Sequence, residues 1–348
     1  MIEIDGSHGE AGGQIVRTAL ALSVLCGKAF RITNIRQGRP EPGLKAQHVQ
    51  CIEALKKLCV CDVEGATLGS STLTFTPGKF LPKNIEVNIG TAGSITLLLQ
   101  SILLPCMFAS KPITLKIMGG TDVKWAMPVD YFKEVLVPQL RRYCDIDIKV
   151  IKRGYYPKGG GVVEISFRPK CSLDGLAPLS LTRQGNLLQI RGVSHASMSL
   201  QQAKVAERQE EAARMILKKL SVPISIDVQY QDTLSAGSGV TLWAIYSLKE
   251  EIDFQNPLRL GADGLGEKGV PGEEVGAHAA QSLLMEIESG AAVDSHLADN
   301  LIPLLGLTTG TISVSHITEH TKTNISVVEK FLPVKFSVDE EKIIRCAQ

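Results

Sequence analysis

A strand, a glycine-bearing loop and a helix recur at three places in this chain. They are "IEIDGSHGEAGGQIVRTALALSVL" from Ile2, "IEVNIGTAGSITLLLQSILL" from Ile85 and "LRLGADGLGEKGVPGEEVGAHAAQSLLMEI" from Leu258. Each is followed by a second strand, loop and helix: "FRITNIRQGRPEPGLKAQHVQCIEALKKL", "ITLKIMGGTDVKWAMPVDYFKEVLVPQL" and "TISVSHITEHTKTNISVVEKFL". Alternating runs close the first two copies ("STLTFTPG", and "IDIKVIKRG" with "GGGVVEISFRP"), whereas only "PVKFSVDE" follows the third. A unit that cannot bury its own apolar face must pack on its neighbours. The repeat therefore predicts an α/β (α+β) fold of three β-α-β-α-β-β units, each about 80 residues long. The units span roughly residues 1–80, 81–170 and 257–345.

Residues 183–253 interrupt the series with "LLQIRGVSHAS", the periodic "SLQQAKVAERQEEAARMILKKL", "ISIDVQYQD" and "VTLWAIYSL". The pattern predicts a smaller inserted α/β domain, leaving residues 1–182 and 254–348 as the large domain. With 348 residues the chain is long enough for more than one core. Its net charge of +1 argues against a basic face that grips duplex nucleic acid, but leaves room for a local cluster holding a few phosphates.

"MIEIDGSHGE" has neither the basic nor the apolar region of a secretory leader. The longest apolar run, "SITLLLQSILLPCMF", is broken by Gln100, Ser101 and Pro105 and reads as a buried helix. Eight cysteines lie scattered in apolar segments; only Cys59 and Cys61 are close, and no second pair completes a zinc pattern. Reduced thiols and a cytoplasmic location are the expectation.

Three loops carry candidate chemistry. "DGSHGEAGGQIVR" stands between strand and helix, as a phosphate-facing loop would, yet matches neither the P-loop nor the dinucleotide spacing; its glycines could equally serve a tight turn. Glu10 there is a possible metal ligand and Arg17 a possible phosphate ligand. "IRQGRPEPGLKAQH" gathers Arg36, Arg39, Lys45, Gln47 and His48, and arginine forks suit phosphate oxygens; a solvated loop is the plain alternative. In the equivalent loop of the third unit stands His320, just before a predicted helix in which Ile325, Val328 and Leu332 share a face. "HLADNLIPLL" places His296, Asp299 and Asn300 at one end of an apolar helix, and "RGYYPKGGGVV" carries three successive glycines, which implies a close backbone approach. "HITEH" lacks the order of a zinc-binding helix, and no G-x-S-x-G occurs.

"RGYYPKGGGVV" resembles the signature of the RNA 3′-terminal phosphate cyclases. "DGSHGEAGGQIVRTALALS", "IRQGRPEPGLKAQH", "GTAGSITLLLQ", "GGTDVKWAMPVDYF", "HLADNLIPLL" and "HTKTNISVVEKFLPV" resemble that family's other blocks, in the family's order. The resemblance covers about residues 2–340 and is weakest across the insert. It implies three repeated units with an inserted domain. It also implies ATP-dependent conversion of an RNA 3′-phosphate to a 2′,3′-cyclic phosphodiester, through a covalent histidyl-AMP. The resemblance places the nucleophile at His320. It places the nucleotide and phosphate contacts at Arg17, Arg36, Arg39, Gln47, His48, Gln100, Pro128, His296, Asp299 and Asn300, and a divalent metal (Mg or Mn) at Glu10. Asn300 departs from the family's glutamine and His296 from an aromatic found in some relatives. ATP, RNA with a 3′-phosphate end and a second copy of the chain are the expected partners, and a membrane is not. The competing readings are a non-catalytic cyclase-like protein of ribosome assembly, an enolpyruvyl transferase built from similar units, and an enzyme adenylylating other nucleic-acid ends.

Overall fold

A computed structural model describes residues 1–9 and 12–347. The first unit is β1 (Ile2–Asp5), α1 (Gln14–Cys26), β2 (Phe30–Thr33), α2 (Ala46–Leu58), β3 (Cys59–Glu64) and β4 (Leu73–Phe80). The second repeats it with β5 (Ile85–Asn88), α3 (Ile95–Met107), β6 (Ile113–Gly119), a helical stretch, β7 (Cys144–Lys152) and β8 (Gly161–Pro169). That stretch is α4 (Val129–Tyr131), a π-helical segment Phe132–Leu136 and α5 (Val137–Leu140). The two sheets have the same order, β1-β2-β4-β3 and β5-β6-β8-β7. In each, the first pair is parallel across a helical crossover and the others are antiparallel.

The third unit departs from the sequence pattern. Its sheet is formed by β9 (Ser180–Leu181), β14 (Thr311–Ser313), β15 (Lys335–Val338) and β16 (Ile343–Ala347) in the order β15-β16-β14-β9, with β9 parallel to β14. The strand expected to open this unit, β13 (Leu258–Leu265), pairs antiparallel with β12 (Ser238–Ser247) instead. It completes a sheet ordered β11-β10-β12-β13, with β10 (Asn186–Ser197) and β11 (Ile224–Gln231). The glycines that made "LRLGADGLGEKG" look like a loop lie partly within the strand. A side chain at Gly261 would run into the Tyr131 ring at 2.5 Å, and one at Gly264 into the Val275 carbonyl oxygen at 2.8 Å. They admit close packing from both sides of the sheet, from α4 on one face and from α7 (Gly272–Glu288) on the other. All ten residues of β12 are buried, as a strand covered on both faces requires. Helix α6 (Val205–Leu217) packs beside α7, and the chain returns to the third sheet through α8 (Ser295–Thr308) and α9 (Glu319–Phe331).

Helices from the three units meet in one layer: α1 packs on α3 and on α9, and α8 packs on α9. Helix α3 is apolar on nearly every side and almost wholly buried, as the broken apolar run predicted. Among the described residues no helix is long and apolar enough to cross a membrane. All eight cysteines are unpaired thiols.

The triple-glycine segment makes the expected close approach. Gly159 has φ of +64°, and a Cβ there would fall 1.9 Å from the Thr91 carbonyl oxygen; one at Gly160 would fall 2.4 Å from Leu234. This segment wedges between the glycine loop of the second unit and the inserted domain.

Candidate active site

His320 is the second residue of α9, so that helix starts two residues earlier than its apolar spacing predicted. The reason lies in Thr318. Its hydroxyl accepts from the Thr321 amide at 2.9 Å as an N-cap and donates to Asp299 Oδ1 at 2.5 Å. The Thr321 hydroxyl donates to the same oxygen at 2.6 Å, and the Asn324 amide donates to the Asp299 carbonyl at 2.6 Å. Thr18 on α1 donates in turn to Asn324 Oδ1 at 2.8 Å. Burial raises the pKa of Asp299, an effect that the two threonine hydroxyls and the charges of His320 and His296 partly offset. Asp299 thus clamps the first turn of α9 and holds the half-buried His320 at a helix N-terminus, where the backbone dipole favours an anion.

A chain of three amide contacts crosses the helix layer. Arg17 Nε on α1 donates to Gln100 Oε1 on α3 at 2.7 Å. Gln100 Nε2 donates to Asn300 Oδ1 on α8 at 2.9 Å, and Asn300 Nδ2 donates to the His296 carbonyl at 2.8 Å. Each unit contributes one side chain. The Asn300 amide thereby links α3 to the first turn of α8. Burial pulls the Arg17 pKa down to about 10; Cys51 works against that pull and the Arg36 charge adds to it.

The first-unit loops close around this chain. His48 Nδ1 accepts from the Lys45 amide at 2.9 Å, which leaves Nε2 as the protonated nitrogen of the neutral ring, and that nitrogen lies against Gly13. Burial, then the charges of Arg17, Arg36 and Lys45, push the His48 pKa down to about 3. Gly13 has no room for a side chain: a Cβ would fall 1.9 Å from His48 Nε2 and 3.0 Å from Arg17 Nη1. A Cβ on Gly12 would lie 3.9 Å from both Arg39 Nη2 and His320 Cε1, so the guanidinium and the imidazole both lie beside this glycine. Arg36 has φ of +57°, and burial together with the Arg39 charge lowers its pKa. Gln47 ties the second unit in, accepting from the Ser94 amide at 2.6 Å and donating to its carbonyl at 3.0 Å.

Pro128 and His296 sit apart from the arginines. Both line a cavity of about 830 Å³ together with Asp263, His278 and Glu286. The His296 ring meets Tyr131 edge-on with centroids 6.4 Å apart. This cavity joins the guanidinium cluster through the His296–Asn300 turn of α8, whose start Asp294 fixes by accepting from the Leu297 amide at 2.8 Å. Glu10 lies outside the described residues.

The clamp residues Thr18, Thr318, Thr321 and Asn324 were missed in the sequence. The spacing of Thr318 and Thr321 was a visible capping signal, but the tie to Asp299 was not. A second cluster was also missed. Arg153, the first residue of the glycine signature, is buried with Nη1 at 2.7 Å from Asp130 and 3.4 Å from Asp122. His195 Nε2 lies 3.2 Å from Asp122, and Tyr155 Oη 2.7 Å from His195 Nδ1. Asp122, Asp130 and His195 are close enough together for a metal ion. The guanidinium already pairs with both carboxylates, so the donor set does not fit a divalent cation.

The family model for RNA 3′-terminal phosphate cyclase matches residues 8–338. A protein of that name from Pyrococcus abyssi is 47% identical over 342 residues, covering 98% of this chain and 96% of the relative. One from Archaeoglobus fulgidus is 44% identical over 347 residues, covering 99% of each. One from Methanopyrus kandleri is 42% identical over 347 residues, covering 97% and 95%. Similarity of that depth, running through both the repeated units and the insert, makes this chain a member of the RNA 3′-terminal phosphate cyclase family.

Proposed function

We propose that this chain converts the 3′-phosphate end of RNA to a 2′,3′-cyclic phosphodiester at the expense of ATP, with His320 as the nucleophile. The observation that carries the reading is His320 at the clamped N-terminus of α9, beside Gly12 together with Arg39 and within the helix layer that holds Arg17. In the first step an unprotonated ring nitrogen of His320 attacks the α-phosphorus of ATP. A P–N bond forms and the bond to pyrophosphate breaks. In the second, an oxygen of the RNA 3′-phosphate attacks the same phosphorus, the P–N bond breaks and AMP moves to the RNA. In the third, the 2′-hydroxyl attacks the 3′-phosphorus, loses its proton to solvent and expels AMP. A phosphate monoester has no good leaving group at neutral pH. The adenylyl group supplies one, so a hard substitution becomes a series of easier ones.

Arg17, Arg36 and Arg39 act as electrostatic clamps on phosphate oxygens. Gln100 and Asn300 aim Arg17, while Gln47 and His48 fix the loops around it. Pro128 and His296 offer an apolar and a ring face to the adenine. A divalent cation, with Glu10 as its carboxylate, would neutralise triphosphate charge. That assignment rests on the sequence.

The test uses ATP labelled at the α-phosphate. Wild-type protein should take up acid-labile label and release it as AMP when given 3′-phosphate RNA, but not 3′-hydroxyl RNA. His320→Ala should lose labelling by at least about a thousandfold. Unchanged labelling of the mutant defeats the nucleophile assignment. Labelling discharged by 5′-phosphate ends instead of 3′-phosphate ends defeats the substrate assignment.

A further inference from the structure

Beside the cavity lined by Pro128 and His296 lies a second one of about 730 Å³. The two share a wall that includes Lys124, Trp125 and Glu267. Trp125 stands on that wall 94% exposed, with a left-handed φ of +61°. Tyr156, from the glycine signature, lines only the second cavity of the two and is 76% exposed. Two large open aromatics on the rim of one cavity form an apolar patch of the kind that marks a binding site.

The other walls suit a nucleotide. Gly93, Gly237 and Gly266 leave backbone close to the cavity, and Tyr155 backs it. Lys124 and Lys268 line it together with Asp122 and Glu267; Lys124 pairs with Glu267 at 2.8 Å, and Asp122 with Arg153 and His195, which leaves Lys268 as a cation for phosphate. At one end the cavity reaches Gln47, the residue bonded to both sides of Ser94 and next in sequence to His48. His48, one residue further on, feels the charges of Arg17 and Arg36, so the chain leads from this end of the cavity to the guanidinium cluster. Open aromatics beside lysines make up a surface on which single-stranded bases stack without sequence preference.

We propose that this second cavity holds the terminal nucleoside of the single-stranded RNA 3′ end, its base stacked on Trp125 and Tyr156 and its 3′-phosphate directed past Gln47 toward His320. The inference rests on the proposed function in one respect. A reaction joining two nucleotides needs two nucleoside-sized spaces flanking one phosphate site, and with ATP assigned to the Pro128–His296 cavity this is the other. Lys268 then faces the phosphates upstream of the terminus.

The chain supplies its own probe. It has two tryptophans, and Trp243 is 5% exposed, so a stacked base should quench chiefly the Trp125 emission. Short single-stranded RNA ending in a 3′-phosphate is titrated into the full-length protein without ATP, and binding is followed by tryptophan emission and by anisotropy of a 5′-labelled RNA. Saturable quenching is expected in wild type and is expected to vanish in Trp125→Phe, which still binds by anisotropy. Tyr156→Ala should weaken binding by a factor of about 5 to 150, the range for loss of one stacked base. Anisotropic binding with no quenching, or unchanged affinity in Tyr156→Ala, overturns the proposal, and so does an absence of binding. Quenching and weakened Tyr156→Ala binding in a protein that ATP never labels would sustain the RNA site while defeating the proposed reaction.

Discussion

Arg17 and Arg153 are 8% and 2% exposed, and both come from segments that stood out in the sequence, yet their surroundings differ in kind. Arg153 sits between two carboxylates. Burial alone would lower its pKa, but Asp130 and Asp122 outweigh that and hold it above the ordinary arginine range. On the partner side, burial would raise Asp122, but the charges of His195 and Arg153 hold it far below the carboxylate range. Among the described residues Arg17 faces a neutral glutamine, a thiol and another guanidinium, and its pKa falls to about 10. One buried cation is satisfied by its own fold. The other is held by a neutral amide and keeps an uncompensated charge among the described residues. A buried arginine paired with acids is a fastener; the proposed function gives the one held by amides the part of a receptor.

Substitutions can break or sharpen that contrast. Arg153→Met should destabilise the protein by about 3–5 kcal/mol, because buried Asp130 loses its close partner while Asp122 keeps only His195 and Thr121. Adding Asp122→Asn and Asp130→Asn should recover part of the loss in urea unfolding. If Arg153→Met unfolds like wild type, the fastener reading fails. Arg17→Met should change stability far less but slow cyclisation by a factor of about a hundred to a thousand, as loss of one charge-stabilising donor does. A purely structural Arg17 would show the reverse, a lowered unfolding midpoint with activity kept in whatever stays folded.

A smaller effect follows from His48. Its folded pKa of about 3 lies below the ordinary value of 6.5, so the unfolded chain takes up the proton first as pH falls. Stability from this group is therefore complete above about pH 6.5 and declines toward pH 3, approaching about 1.4 kcal/mol per pH unit in between. His48→Gln should flatten that slope in urea titrations at pH 7, 6 and 5, and a slope unchanged by the substitution would contradict the buried neutral ring. The smallest change expected is Asn300→Gln, which keeps an amide for Gln100. Cyclisation should stay within about threefold of wild type, and a loss beyond tenfold would mean the shorter amide matters.

The contrast between the two arginines also shows what a sequence withholds. Arg17 and Gln100 are 83 positions apart, and Arg153 lies 31 positions from Asp122, so nothing local tells the two guanidiniums apart. The first two units were legible because each strand and helix announces itself through its own periodicity, and both sheets took the same order. The third was misread at Gly261 and Gly264, which resemble loop glycines until Tyr131 and α7 are seen packing against them. In the candidate site the arginine loop, His320 and the α8 block were visible. The Asp299 clamp was not, since it ties two helices through hydroxyls that any solvated cap could carry.

Strand β13 hydrogen-bonds into the inserted sheet, and α7 packs on that sheet before the chain returns through α8. A graft or excision that cut at residues 183 and 253 would strip β12 from the flank of β13 and bare eight residues of unpaired edge. Such a chain should clump rather than fold. The hydrogen-bonded and packed block that surrounds the insert runs from β10 through α7, so a cut that spares this sheet must lie outside those two elements.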